Sequence, residues 1–313
     1  MSHRLTSAFI LIAALAGCDD GGGKAPATSK SAAPKKAATA TAKSSAAPKK
    51  RTETAIKLEP GKFHFDFPVV DKTEAKEGDK VFFVNMKLIR NELEKGKKPS
   101  GTQFLIGTMG KPGDKESIVK SATEDTVPNS GIVPIPAGQT AKVGDIVAGR
   151  WAVNLTRGYV TDASDPKKPK AIFIGLGYDN PAKAEDKKTG IGQYEYQLEE
   201  NEFMVISKPY DPGTACAHKD GSKHKLFQVW RAEGDMVIGK EFTTFKAVKK
   251  ADCKPIPLKP DYKVGDEVYV PWVGTMAKAT ITKVGKGRFG VKYESGSKDE
   301  KMISFGEVID KLQ

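Results

Sequence analysis

The chain has 313 residues, 38% of them hydrophobic and 29% charged, with 51 Lys and Arg against 39 Asp and Glu for a net charge of +12. That composition sustains a core and excludes wholesale disorder, and three cysteines in such a length exclude a disulfide-dense mini-fold. No apolar run reaches the roughly 18 residues that an ordinary membrane-spanning helix needs.

At the N-terminus, Met1-Ser2-His3-Arg4 is followed by the apolar stretch Ala8–Ala16 and then Gly17-Cys18. A short basic region, an apolar segment and small residues before a cut describe a secretory signal peptide over residues 1–17. Leu15-Ala16-Gly17-Cys18 resembles the lipobox of bacterial lipoproteins at all four of its positions. The resemblance implies cleavage before Cys18, acylation of that cysteine, and a cell-envelope protein facing the periplasm or the exterior. Several acyl chains, at about 0.8 kcal/mol per buried methylene, anchor stably where one would be marginal. Asp19 is similar to the inner-membrane retention signal of enteric lipoproteins and implies that membrane.

Residues 18–56 form a disordered tether in this reading. Between 21 and 55 there is no aromatic and no bulky aliphatic side chain, and Ser31-Ala32-Ala33-Pro34-Lys35-Lys36 returns as Ser45-Ala46-Ala47-Pro48-Lys49-Lys50. Such a segment buries too little apolar surface to offset its ordering entropy. As a flexible coil it reaches roughly 35 Å. Two roles stay open: a plain spacer, or attraction of its lysines to anionic headgroups or acidic wall polymers.

From residue 57 a motif recurs. Lys76-Glu77-Gly78-Asp79 returns as Lys142-Val143-Gly144-Asp145 and as Lys263-Val264-Gly265-Asp266, each before a run of β-formers. Gly234-Asp235 reads as a hairpin turn instead. Candidate strands follow at Lys80–Val84, Gln103–Thr108, Ser117–Lys120, Ile146–Arg150, Gly158–Asp162, Ala171–Leu176, Tyr194–Leu198 and Glu202–Ile206. Further on come Lys225–Trp230, Met236–Ile238, Phe242–Val248, Glu267–Val270, Ala277–Val284, Gly290–Tyr293 and Glu300–Ser304. Helical spacing of Leu88, Ile89 and Leu93 predicts one helix over Lys87–Lys97. The expected class is all-β, with two or three small barrels in tandem. Residues 57–138 form a degenerate module, 139–208 a barrel, 209–260 a hairpin region and 261–313 a second barrel.

The opening Gly265-Asp266-Glu267-Val268-Tyr269-Val270-Pro271-Trp272, with Ala277–Ile281 and Phe289–Tyr293 after it, resembles the SH3-like barrel of Tudor and agenet domains. Gly144–Ala148 with Trp151 looks like a second, inflated copy. The resemblance implies an aromatic cage for a methylated amine, held by cation–π attraction. It places Trp151, Tyr159 and Tyr178 in the middle module, and Trp272 and Tyr293 in the last. In the last module Met276 and Ala277 stand where the family has a Trp-Tyr pair, so that cage is incomplete. For every one of these rings, core packing is the competing explanation.

Cys216 and Cys253, behind a secretion signal, are expected to pair as a disulfide. The alternative is a metal site on Cys216, His218, His224 and Cys253, although its spacings match no common finger pattern. No nucleophile–base motif, phosphate-cradling loop or metalloprotease signature appears, which implies neither catalysis nor a cofactor. The functional expectation is a membrane-anchored, non-catalytic binding or scaffold protein whose partner is peptidoglycan or another envelope protein. One alternative is a structural protein held to peptidoglycan or acidic polymers by charge alone. Another is nucleic-acid binding, against which secretion argues.

Overall fold

Four times among the described residues the same glycine turn launches a small antiparallel sheet, three times with a Lys before the Gly and an Asp after it. The computed structural model describes residues 55–97, 99, 102–151, 153–174, 195–242, 244–296 and 299–312. All of them belong to one unit, Arg51–Gln313.

The first sheet contains β1 (Lys80–Val84), β2 (Phe104–Lys111), β3 (Glu116–Lys120), β4 (Glu124–Pro128) and β5 (Ile132–Pro134). The second holds β6 (Ile146–Trp151), β7 (Asn154–Asp162), β8 (Lys170–Phe173), β9 (Glu195–Gln197) and β10 (Phe203–Val205). In the third are β11 (Ala215–Asp220), β12 (Lys223–Glu233), β13 (Met236–Glu241), β14 (Thr244–Lys249) and β15 (Cys253–Pro255). The fourth has β16 (Glu267–Trp272), β17 (Thr275–Gly285), β18 (Arg288–Tyr293) and β19 (Lys301–Ser304). In the first three sheets, four strands run as a meander and the fifth returns to pair with the first. The fourth sheet repeats this with one bridge, Tyr269 to Ile309, in place of a fifth strand. The expected all-β class of small tandem sheets is therefore what the chain adopts. Segment 209–260, expected as a hairpin closed by a disulfide, is a complete five-stranded copy.

The turns explain the repetition. The backbone N–H of Lys76, Lys142 and Lys263 donates to the carboxylate of Asp79, Asp145 and Asp266 at 2.7, 2.8 and 2.8 Å. In the third copy Asp211-Pro212-Gly213-Thr214 builds the turn with Thr in the place of Asp: Thr214 N–H donates to the Asp211 carbonyl at 3.0 Å, as Asp79 N–H does to that of Lys76 at 3.1 Å. Gly78, Gly144, Gly213 and Gly265 then lie at φ between +87° and +98°, where a side chain would be strained. Their N–H groups donate to Met109, Val160, Val229 and Ile281 of the second strands. One residue further on, each second strand carries a bulge, at Gly110, Thr161, Trp230 and Thr282.

One α-helix, α1 (Met86–Glu94), interrupts the first sheet after β1. The Asn85 side chain caps it by accepting the Leu88 N–H at 3.2 Å. Gly96 at φ +69° ends it before the expected Lys97. Its buried Met86, Ile89 and Leu93 join Val81–Val84 in the first core, so β1 is covered on both faces. Among the described residues, no helix is long and apolar enough to cross a membrane.

Side chains crossing between sheets lock the modules together. Trp230 of the third sheet belongs to the first core. Arg231 reaches the carbonyls of Asn129 and Ile132, both at 2.9 Å. Arg157 of the second sheet pairs with Glu307 near the C-terminus at 2.6 Å. Buried Arg288 and Ser304 of the fourth sheet both donate to the Ile174 carbonyl of the second.

Candidate functional site

Trp151 ends β6, and its half-buried ring packs against the edge of the second sheet's core. It packs on Tyr196 of β9 with centroids 4.0 Å apart and on Phe173 of β8 at 5.8 Å. Phe173 and Tyr196 are themselves 5.7 Å apart, so the three rings fill one another's space rather than stand around a gap. These two partners were not among the sequence candidates, although Phe173 lies in the apolar run Ala171-Ile172-Phe173 and Tyr196 alternates with Glu195 and Gln197.

Tyr159 does not join them. It pairs with Ile146 at the opposite end of β6, five residues from Trp151 or about 17 Å along the strand. There its ring meets Phe305 edge-on at 6.4 Å, and Gly287 lies so close that a Cβ would sit 3.0 Å from the Tyr159 Cβ. Tyr159 is thus a contact between the second and fourth modules. Tyr178 and Cys18 lie outside the described residues.

In the fourth sheet Trp272 and Tyr293 occupy the ends of β16 and β18 that correspond to Trp151 and Phe173. Their centroids are 4.4 Å apart. Tyr293 is buried, which raises its pKa, and its hydroxyl donates to the Pro271 carbonyl at 2.7 Å. Gly296 covers the indole of Trp272, where a Cβ would stand 3.2 Å from Cζ2. The two rings are brought together, and they are packed as core and rim.

Cys216 of β11 and Cys253 of β15 form a disulfide across adjacent antiparallel strands, Cα to Cα 5.4 Å. The metal alternative is corrected by this bond, because the two sulfurs are joined to each other. His218 is instead committed through Nδ1 to Glu241 at 2.7 Å, and Glu241 also holds Lys225 at 3.2 Å and Lys246 at 3.0 Å. His224 is half-buried, and its desolvation lowers its pKa. Among the described residues, no group of three or more His, Cys, Asp or Glu is placed to hold a metal ion.

No family model and no curated protein matches the chain. Among solved structures it is similar to the four MBT repeats of Drosophila melanogaster Sfmbt, crystallised with the peptide RHR(me)K VLR. Identity is 10%, the match takes in 54% of this chain and 64% of that one, and the TM-score is 0.15. At that score the two chains share no overall superposition, and the fold rests on the sheets and turns described above.

Proposed function

We propose that this chain is a bacterial cell-envelope lipoprotein, anchored through acyl chains on Cys18, whose folded part is a non-catalytic binding and scaffold body. The observation that carries the body's role is the locking of four like sheets by Trp230, Arg231, Arg157 and Arg288. A body joined in this way holds its surfaces at fixed spacing, as a scaffold requires. Half-buried Trp151 and Tyr196 offer aromatic edges for contact at one such surface. The Lys-rich segment before it would stand the body off the membrane, and Asp19 favours the inner one.

Two measurements test this reading. Metabolic labelling with an alkynyl fatty acid should mark the full chain and not its Cys18→Ala variant; equal labelling of both would remove the anchor. Co-sedimentation with purified sacculi across a salt series tests the partner. Retention at physiological salt that is lost in a folded Trp151→Ala variant supports aromatic binding to the wall. Retention that collapses with modest salt and ignores Trp151 identifies charge alone. Absence of retention at any salt directs the search to an envelope protein, through crosslinking in the native envelope.

A further inference from the structure

A cavity of about 230 Å³ lies where the first, second and third sheets meet. It is smaller than the roughly 300–1,000 Å³ of drug-sized pockets, so its occupant is small. Three aromatic rings line it. Phe104 stacks on Trp230 with centroids 4.3 Å apart and an interplanar angle of 26°, and Phe245 lies 6.2 Å from Phe104. The amides of Asn154 and Gln228 add neutral polar groups to the wall. Thr102 Oγ1, also of the wall, is buried with no hydrogen-bond partner.

The charges of the lining are one-sided. Lys240 and Arg157 contribute cations, and no Asp or Glu lines the cavity. Arg157 is already committed, to the Gly213 carbonyl at 2.9 Å and to Glu307. Lys240 is not: among the described residues it is in no ion pair, and its ammonium faces the Phe245 ring at 5.9 Å. Its place on β13, between Gln228 of β12 and Phe245 of β14, keeps it half-buried beside the cavity. Burial lowers its pKa, the sign of a cation that lacks a counter-charge. A partly desolvated ammonium, an orphaned hydroxyl and an aromatic wall together lack one thing, an anionic head on an apolar body.

We propose that this cavity is a binding site for a small organic carboxylate, its head on the Lys240 ammonium and Thr102 hydroxyl and its apolar body against Phe104, Trp230 and Phe245. The site is independent of the lipoprotein reading and of the Trp151 surface.

Benzoate is a suitable probe, with benzamide as its neutral isostere and inorganic phosphate as an anion without the body. The chain has three Trp residues, so three indole N–H signals report, and Trp151→Phe and Trp272→Phe variants assign that of Trp230 by subtraction. Benzoate should shift the Trp230 signal of the full chain saturably, with benzamide and phosphate each about tenfold weaker or worse. Lys240→Gln should cost about tenfold in benzoate affinity, the worth of one charge-assisted hydrogen bond. Thr102→Val should weaken binding by a smaller factor with the fold intact. Benzamide or phosphate binding as tightly as benzoate overturns the proposal. So does unchanged benzoate affinity in Lys240→Gln, or a failure of benzoate to move the Trp230 signal saturably.

Discussion

The indole N–H of Trp230 in the third sheet donates to the Ser130 carbonyl of the first, 3.1 Å away and 100 residues earlier in the chain. What points it there is the bulge of β12 between Val229 and Arg231, which turns the extra residue out of its own sheet. The other three sheets have the same bulge but fill it with Gly110, Thr161 and Thr282, so this junction belongs to one module alone.

Trp230→Ala removes a 3%-exposed ring from the first core while the mutated residue sits in the third sheet. Truncating a buried Trp costs about 3–5 kcal/mol. Urea denaturation should show that loss, with both sheets affected together. Trp151→Ala, at a half-buried ring, should cost clearly less, and equal costs would deny Trp230 its junction role.

Arg157 is 2% exposed and pairs with Glu307 across the second and fourth modules. Glu307→Ala leaves that guanidinium buried without its counter-ion, at about 3–5 kcal/mol. Replacing both, Arg157→Met with Glu307→Leu, should recover most of the loss. Denaturant midpoints of the two variants decide the matter.

The bond between Cys216 and Cys253 spans 37 residues, all of them within the third module. A loop of that length corresponds to about 4 kcal/mol of chain-entropy stabilisation. Reduction should lower the melting temperature, and a Cys216→Ala/Cys253→Ala double variant should match the reduced protein and no longer respond to reductant.

Burial pushes the Glu241 carboxyl up, but hydrogen bonds from His218, Lys246 and Lys225 outweigh it and hold the group below its ordinary value. A carboxylate depressed in the folded state stabilises fully above its unfolded pKa of about 4.3, and that stability is lost as pH falls through the lower folded value. Glu241→Gln should therefore be less stable than wild type at neutral pH, with the gap closing in acid below about pH 4. A gap that widens in acid would contradict the sign.

Val273 lies at φ +43° in the turn between β16 and β17, beside Gly274 at φ +76°. A β-branched residue is strained there, and at 83% exposure its side chain recovers almost nothing by burial. Val273→Asn, suited to a turn with two positive φ values, should raise stability by about 1 kcal/mol. Thermal melts of the two proteins test it.

Much of the fold is legible in the chain because its signals are local. Strict alternation marks β16, where Val268 and Val270 face in, and a Gly with an Asp beside it marks three of the four turns. The fourth turn escaped because Asp211-Pro212-Gly213-Thr214 has Asp where the others have Lys and Thr where they have Asp, although its backbone bonds to the second strand are the same. With that turn went β11, whose Ala215-Cys216-Ala217-His218-Lys219-Asp220 has no strand-forming pattern and is held by pairing with β12 and β15. Short β5 and β15 likewise exist through the strands they return to.

The candidate site divides in the same way. Residue types alone mark Trp151, Trp272 and Tyr293 as aromatics at strand ends, and mark Cys216 and Cys253 as a pair. Whether rings stand apart or fill one another depends on the distance between strands, which only packing sets: Trp151 rests on Tyr196 and Phe173, and Tyr159 faces another module. The cavity at Lys240 left no trace in the sequence, since Thr102, Asn154 and Lys240 lie on three different sheets or their connections. The all-β class and the recurring turn can be read from the chain alone, because each is written in neighbouring residues, whereas the two cysteines could be read as a disulfide or as metal ligands until their strands were seen to adjoin. Tertiary structure alone decided how four sheets interlock and where a cation is left without its partner, because those depend on contacts between residues far apart in the chain.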